Sequence, residues 1–212
     1  MKTKPFLLKI LLMIFLNVVI VSLQVTDGQT KMPDYTSKVP KFIYPSSLAE
    51  QESDLKTNPL MVRFAESRSR QASDRYRPVY HFVSPESTLN DPNGLCFWNG
   101  YWHLFYQAYP PEDRRQHWGH AISKDLVNWK DLPYAIYPGP ERAVFSGSTV
   151  VDGDRVIAMY HGTEVGNMVA VSKDPLLLNW EKTTSDRAAI PLRTEANFPL
   201  PYSVFDPCIW KK

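Results

Sequence analysis

Two stretches of this 212-residue sequence resemble each other closely enough to restrict its fold. Residues 121–129 are AISKDLVNW and residues 170–180 are AVSKDPLLLNW, so that Ser123 and Ser172 stand 49 positions apart. A unit of about 40 to 55 residues that recurs in tandem is typical of modular architectures such as the β-propeller, in which each blade packs against its neighbours. The repeat therefore predicts one structural unit that is used twice.

Alternating aromatic and aliphatic residues around the first copy predict antiparallel strands. The run over 95–107 is interrupted by Asn99-Gly100, a pair that suits the positive φ angles of a two-residue hairpin turn. A second hairpin is predicted with Asp152-Gly153 as its turn. Both hairpins belong to the repeated unit.

The chain is therefore expected to be all-β and to form part of a β-propeller. We predict about two blades, followed by the first strand of a third blade within FDPCIW at 205–210. The composition fits this interpretation, since 18 Pro and 13% aromatic residues suit short strands and ordered loops. A net charge of +2 with scattered basic residues gives no support for a nucleic-acid partner.

The N-terminus has the layout of a secretory signal. Three lysines precede an apolar run over 10–21 that only Asn17 interrupts. We interpret residues 1–28 as a signal peptide, which predicts a secreted protein, extracellular or periplasmic, with no membrane attachment after cleavage. An uncleaved membrane anchor is the alternative, because no clear small-residue cleavage site follows the run.

The next segment, residues 29–76, is polar and shows little periodicity, so we interpret it as a leader or linker in which short helical stretches are possible. The predicted propeller domain occupies residues 77–212. Cys96 and Cys208 are the only cysteines, which excludes a disulfide framework and leaves their pairing open.

Polar residues stand at comparable points near the start of each predicted inner strand. In a propeller these strands line the central channel, so Asp91, Ser146 and Asp206 would face one funnel. Aromatic walls and paired carboxylates suit a sugar, and two carboxyl groups can break its glycosidic bond. The plainer alternative is turn chemistry, because Asp-Pro and Asn-Gly favour turns by themselves.

An ordered set of motifs makes the expectation specific. LNDPNG, FYQ, HWGHAISKDLVNWKDLP, FSGS and FDP follow one another between residues 89 and 207. In this order they resemble the N-terminal five-bladed propeller of glycoside hydrolase family 32, the family of invertases, levanases and inulinases. The resemblance covers about residues 77–212, and DPNG alone would be only a turn-forming string.

The resemblance implies retaining hydrolysis of terminal β-fructofuranosides such as sucrose, inulin or levan. It implies that Asp91 is the nucleophile and that Asp206 stabilises the transition state. The residues at fructose-binding positions would be Asn90, Gln107, Trp118 and Ser146. The family's acid lies in a Glu-Cys motif, which this sequence does not contain, so we expect these 212 residues alone to be inactive.

Two departures from the family pattern bear on function. The family usually has Trp-Met before Asn-Asp, where this chain has Thr88-Leu89, and it has Arg before Asp-Pro, where this chain has Phe205. The loss of that charged donor keeps open a non-catalytic, sugar-binding propeller or the product of a degraded gene.

Histidines offer one further reading. The spacing of His117 and His120 hints at a metal site, but both lie in a predicted strand region where they would not share a helical face. We therefore expect no metal and no cofactor. His103 and His161 occupy matching strand positions and are expected to be packing residues.

We expect residues 1–28 to direct export and to be removed, because the lysine-flanked apolar run is the pattern that the secretion machinery recognises. N-terminal sequencing of protein recovered outside the cells should find a start near residue 29. A cytosolic product that retains Met1 would contradict this prediction.

Overall fold

The computed structural model describes residues 33–78, 80–185, 187–194 and 201–212. Within these residues the fold is mostly β, with nine strands and two helices. The predicted signal peptide lies outside the described residues. From Asp34 onward the chain forms one compact unit. None of the helices in this described part is long and apolar enough to cross a membrane.

Two antiparallel sheets make up the β structure. In the first sheet the strands lie side by side in chain order: β1 (Pro92–Trp98), β2 (Tyr101–Ala108), β3 (His117–Ser123) and β4 (Trp129–Ile136). The second sheet follows the same order with β5 (Val144–Asp152), β6 (Arg155–Gly162), β7 (Gly166–Ser172) and β8 (Glu181–Lys182). A ninth strand, β9 (Ile190–Pro191), also pairs with β7.

The first predicted hairpin is confirmed. Trp98 pairs with Tyr101, and the two residues between them, Asn99 and Gly100, have φ angles of 46° and 82°. These positive values are those that a type I′ turn requires of its two central residues.

The second hairpin is also present, but its turn lies one residue later than predicted. Asp152 pairs with Arg155 as the last residue of β5, so the turn residues are Gly153 and Asp154. Gly153 has a φ of 63°, which suits the first central position of a type II′ turn.

The sequence repeat corresponds to a repeated loop. Leu126 and Leu177 both adopt positive φ angles, 64° and 52°. Their carbonyl oxygens accept the indole N–H of Trp129 at 3.2 Å and of Trp180 at 2.8 Å. The same loop therefore leads out of the third strand of each sheet, which confirms that one unit is used twice.

The two sheets pack face to face across a shared apolar core. Contact between β1 and β5, the first strand of each sheet, is reinforced by the hydroxyl of Thr149, which donates to the carbonyl oxygen of Gly94 at 2.8 Å. The core takes side chains from both sheets: Cys96, Phe105, Trp118, Ala135 and Ile136 from the first, and Val144, Val156, Ala158, Tyr160, Met168 and Ala170 from the second.

The segment interpreted as a leader or linker is largely folded. Helix α1 (Leu48–Thr57) begins after Ser47, whose hydroxyl accepts the N–H of Glu50. Helix α2 (Pro59–Gln71) begins after Asn58, whose side-chain oxygen accepts the N–H of Leu60 at 2.9 Å. Both starts are N-caps, and proline in the first turn is compatible with helix initiation.

This segment packs on the sheets because α2 has an apolar stripe. Leu60 and Phe64 are buried four residues apart, and they form a cluster with Tyr106 and Tyr134 of the first sheet. The helical stretches that the sequence left possible in this segment are therefore present, and α2 packs on the first sheet. The helical spacing of the apolar residues in α2 was hard to see in the sequence because many polar residues lie between them.

The same segment also reaches the second sheet. Gln51 in α1 is fully buried and donates to a carboxylate oxygen of Asp174 at 2.8 Å. The backbone N–H of Tyr44 donates to Asn179 at 2.9 Å. The N-terminal segment therefore braces both sheets from one side.

The strand predicted at 205–210 is not formed. Residues 201–212 contain no strand, and the part around Pro207 lies against β5 through one side chain. The hydroxyl of Ser148 donates to the carbonyl oxygen of Pro207 at 3.2 Å and accepts the N–H of Ile209 at 2.8 Å. Since a strand needs a backbone ladder, these side-chain bonds position the segment without making it a strand.

Three histidines of the first sheet are buried. His103 Nδ1 lies 2.9 Å from His120 Nε2, and His117 Nε2 lies 2.6 Å from the hydroxyl of Ser37. Burial lowers the pKa of His103 and His117 to about 4, and it lowers that of His120 well below its usual value. These rings are therefore neutral in the folded protein near neutral pH.

We expect the free energy of unfolding to fall as the pH drops from about 6.5 towards 4. The unfolded chain takes up protons on these histidines in this pH range, whereas the folded chain does not. His103 and His117 should each lower the free energy of unfolding by about 3 kcal/mol between pH 6.5 and pH 4. Urea unfolding at several pH values measures the effect. His81→Gln, which alters an exposed ring, should leave the slope unchanged. A flat profile between pH 7 and pH 5 would contradict the prediction.

Candidate active site

The predicted nucleophile is held at the entrance to β1. The backbone carbonyl of Asp91 accepts the N–H of Gln107 at 3.0 Å, and the N–H of Asn90 donates to the carbonyl of Gln107 at 3.1 Å. A bulge between Asn93 and Cys96 follows at once. Backbone hydrogen bonds to β2 thus continue before the first residue of β1, so Asn90 and Asp91 have a fixed backbone position beside the end of β2.

Four of the predicted site residues form one hydrogen-bonded cluster. The side-chain amide of Gln107 donates to the hydroxyl of Ser146 at 2.8 Å and to Asp91 Oδ2 at 3.3 Å. Its oxygen accepts the amide N–H of Asn90 at 2.7 Å. The hydroxyl of Ser146 in turn donates to Asp91 Oδ2 at 3.0 Å. The cluster therefore joins the first sheet to the second.

Burial divides this cluster into a support and an exposed part. Gln107 and Ser146 are only 3% and 8% exposed, whereas Asn90 and Asp91 are exposed. Two nearly buried groups thus hold Oδ2 of Asp91, and no residue in the described ranges donates a hydrogen bond to its Oδ1. That arrangement presents one carboxylate oxygen to a ligand in a fixed orientation.

Asp206 lies within electrostatic range of the cluster. Loss of solvent around its carboxyl raises its pKa, and the charge of Asp91 raises it further, while the charge of His161 lowers it. The charge of Asp91 therefore acts on Asp206, although the two residues stand 115 positions apart in the sequence.

Comparison with known proteins decides the family. Residues 81–212 match the family model described as the glycosyl hydrolases family 32 N-terminal domain, and this is more than half of the chain. The chain belongs to glycosyl hydrolase family 32.

Relatives within family 32 are longer than this chain. A levanase of Bacillus subtilis (strain 168) is 47% identical over 91 residues, which make up 42% of this chain and 13% of the levanase. A solved β-fructofuranosidase of Bombyx mori is 31% identical with a TM-score of 0.52, covering 78% of this chain and 35% of that one. Fructan 1-exohydrolase IIa of Cichorium intybus is 35% identical with a TM-score of 0.51, covering 57% and 25%.

The structure does not place Trp118 where the family 32 resemblance predicted it. Its side chain has no exposed surface, stacks on Phe105 at 5.4 Å between ring centroids, and donates its indole N–H to the carbonyl oxygen of Phe145 at 2.9 Å. Trp118 therefore cannot contact a ligand in this structure. Because Phe145 precedes Ser146, the tryptophan instead supports the backbone that carries the site hydroxyl.

Three loop carboxylates of this part of the chain have cationic partners. Glu112 pairs with Arg63, Asp113 pairs with Arg115 at 2.5 Å, and Glu141 pairs with Lys182 at 2.5 Å. Within the described ranges no group of three or more histidine, cysteine or acidic side chains could hold a metal ion. Cys96 is buried, Cys208 is exposed, and both are free.

The sequence interpretation missed one neighbour of the site. His161, expected only to pack, lies beside Phe205 with 4.9 Å between ring centroids, and its charge acts on Asp206. A signal was present: Tyr106-Gln107-Ala108 ends β2 as Tyr160-His161-Gly162 ends β6. His161 thus occupies in the second sheet the place that Gln107 occupies in the first. The predicted match between His161 and His103 is wrong, because His103 is the third residue of β2 and His161 the seventh of β6.

We expect Trp118→Ala to lower the free energy of unfolding by about 3 to 5 kcal/mol, since it removes a fully buried ring. Trp118→Phe keeps a ring but leaves the carbonyl of Phe145 without its donor, which should cost about 1 to 3 kcal/mol. Urea unfolding measures both.

Phe97→Ala is the matched control for this prediction, because Phe97 is 52% exposed and should change stability far less. A Trp118→Ala protein of unchanged stability would show that this side chain does not support the core.

Proposed function

We propose that this chain supplies the nucleophile and most of the fructose-binding groups of a retaining β-fructosidase. The observation that carries the proposal is the cluster of Asn90, Asp91, Gln107 and Ser146, in which two nearly buried groups orient one exposed carboxylate. Solved family 32 proteins from Bombyx mori and Cichorium intybus hold sucrose and 1-kestose, which makes a terminal β-fructofuranosyl unit the expected ligand.

In this proposal Asp91 attacks the anomeric carbon of fructose. A carboxylate nucleophile forms a covalent fructosyl-enzyme ester, and water then releases fructose with retention of configuration. The hydrogen bonds to Oδ2 fix the carboxylate, leaving Oδ1 for the new bond. The charge of Asp206 beside it would stabilise the positive charge that develops on the sugar ring in the transition state.

The fold around this site fits two neighbouring blades of a propeller. Each sheet has its strands side by side in chain order, and the innermost strands β1 and β5 lie together. In a five-bladed propeller these strands would line the central channel, with Asp91 and Ser146 at one of its ends. The predicted signal peptide would deliver the protein to the extracellular or periplasmic space.

The acid that protonates the leaving group has no candidate among the nearby carboxylates. Glu112, Asp113 and Glu141 are each held in an ion pair with a cationic side chain. The sequence has no Glu-Cys pair. We therefore expect these 212 residues to bind a fructoside without hydrolysing it, since general acid assistance is worth about a hundredfold to ten-thousandfold.

A non-catalytic sugar-binding role is the second candidate, and Phe205 is the observation that favours it. Its ring is 62% exposed where the family has an arginine, so it offers an apolar face in place of a charged donor. An exposed aromatic ring can stack on the C–H face of a sugar without taking part in chemistry.

We expect Asp91→Asn to abolish fructose release by the protein that carries the complete propeller. An amide cannot form the ester intermediate, so turnover should fall by several powers of ten while the fold is retained. Assays with sucrose, inulin and levan, together with circular dichroism, measure both effects.

Asp154→Asn is the matched control, since Asp154 lies in the hairpin turn after β5 and is exposed. It should leave turnover unchanged. Substantial hydrolysis by the Asp91→Asn protein would exclude Asp91 as the nucleophile. Fructoside binding without hydrolysis by the protein that carries the complete propeller and an unchanged Asp91 would favour the second candidate.

A further inference from the structure

A cleft lies on the outer side of the first sheet, where α2 and the chain that follows it meet the start of β4. Its volume is about 510 Å³. Arg68 lines it from α2, Arg77 lines it from the chain after α2, and Asn128, Trp129 and Lys130 line it from the start of β4. A cleft of this volume suits a small organic ligand.

This cleft is remote from the candidate active site. Trp129 pairs with Ser123, which pairs with Trp102 near the start of β2, whereas Asp91 lies beside Gln107 near the end of that strand. β4 and β1 are also the two outer strands of the sheet, about 14 Å apart when neighbouring strands are about 4.8 Å apart. A ligand in the cleft therefore occupies a second site.

Two cationic side chains of the cleft have no acidic partner among the described residues. Neither Arg77 nor Lys130 forms an ion pair there, and even Nε of Arg77, which the protein encloses, has no hydrogen-bond acceptor. Asp131 is the one carboxylate among the described lining residues, and Arg68 donates to both of its oxygens, at 2.7 and 2.6 Å. The cleft therefore has uncompensated positive charge, which favours an anionic ligand.

The type of cation favours a phosphate group. A guanidinium such as that of Arg77 presents its N–H groups in a planar fork that matches two phosphate oxygens, and a lysine ammonium adds a compact point charge. Arg77 and Lys130 enter the cleft from different parts of the chain, so a phosphate between them is bound from two directions. A phosphate monoester, with a charge of about −1.5 to −2 at pH 7, balances these two cations.

The rest of the cleft fits the organic part of such an ester. The side-chain amide of Asn128 donates to Oδ2 of Asp125 at 2.7 Å. Because an ionised carboxylate only accepts, this bond leaves Oδ1 of Asn128 as an acceptor for a ligand hydroxyl. Phe82 and Trp129, with 6.1 Å between ring centroids, add apolar surface. Hydroxyl acceptors beside aromatic side chains suit a sugar.

We propose that this cleft binds the phosphate monoester of a small hydroxylated molecule, such as a sugar phosphate. Arg77 and Lys130 hold the phosphate, and Asn128 accepts a hydroxyl of the organic part. The inference goes beyond the proposed function and does not depend on it, since no residue of the cluster around Asp91 takes part.

The test titrates the protein with glucose 6-phosphate at constant ionic strength, followed by calorimetry and by NMR of the arginine Nε–H groups. We expect the Arg77 signal to shift until the site is saturated. Arg77→Gln removes the guanidinium and its charge-assisted hydrogen bonds, so the affinity should fall by about tenfold or more. Lys130→Gln should weaken binding by roughly three- to tenfold, because it removes the second cation.

Arg75→Gln is the matched control. Arg75 is exposed, lies 5.0 Å from the ring centroid of Tyr76 and does not line the cleft, so this variant loses the same charge two positions from Arg77. Its affinity should stay within about twofold of that of the unmodified protein. Glucose and inorganic phosphate are the ligand controls, and both should bind more weakly than the ester.

Each part of the proposal has an outcome that would overturn it. Absence of glucose 6-phosphate binding excludes the site, and so does a signal shift that sodium chloride alone reproduces. Equal losses in Arg75→Gln and Arg77→Gln would show a diffuse effect of charge in place of a site. Inorganic phosphate that binds as tightly as the ester would contradict the role of Asn128. If Arg77→Gln does not fold, an unchanged affinity in Lys130→Gln overturns the proposal.

Discussion

The side-chain amide of Gln107 links the residues of the site, and their arrangement depends on it. It is almost fully buried and bonds Asn90 and Asp91 of the first sheet and Ser146 of the second. A buried amide left without partners costs about 1 to 3 kcal/mol, so the two sheets are held in the one relative position that satisfies it. The same hydrogen bonds therefore determine the geometry of the site and the relative position of the two sheets, so a change in one would change the other.

The sequence predicted those features that local chemistry controls. Asn99-Gly100 specified a turn because few other pairs tolerate two positive φ angles, and the duplicated Ser-Lys-Asp loop specified a duplicated sheet. The meeting of Asp91 and Ser146 was foreseen from their comparable positions at the starts of the predicted inner strands, and the ordered family motifs added Asn90 and Gln107. In each case a short stretch of sequence either determines the local backbone conformation or matches a motif of known position in the family.

The features that were mispredicted depend on tertiary contacts. The family resemblance put Trp118 at a fructose-binding position, but β3 is buried along its whole length, so this tryptophan has no access to solvent. The sequence left short helices possible in residues 29–76, but the packing of Phe64 against the first sheet, which stabilises α2, is a tertiary contact. Residues 205–210 have a strand-like sequence, but their backbone bonds the side chain of Ser148 instead of a neighbouring strand.

The brace formed by the N-terminal segment also constrains the order of assembly. Tyr44 bonds Asn179, which lies 135 positions later in the chain, and Gln51 bonds Asp174, 123 positions later. During synthesis this segment leaves the ribosome before the sheets do. Its binding surface is incomplete until the strands of both sheets have been made. Closing so long a loop costs entropy that only the finished core can offset, so the earliest part of the chain is among the last to settle.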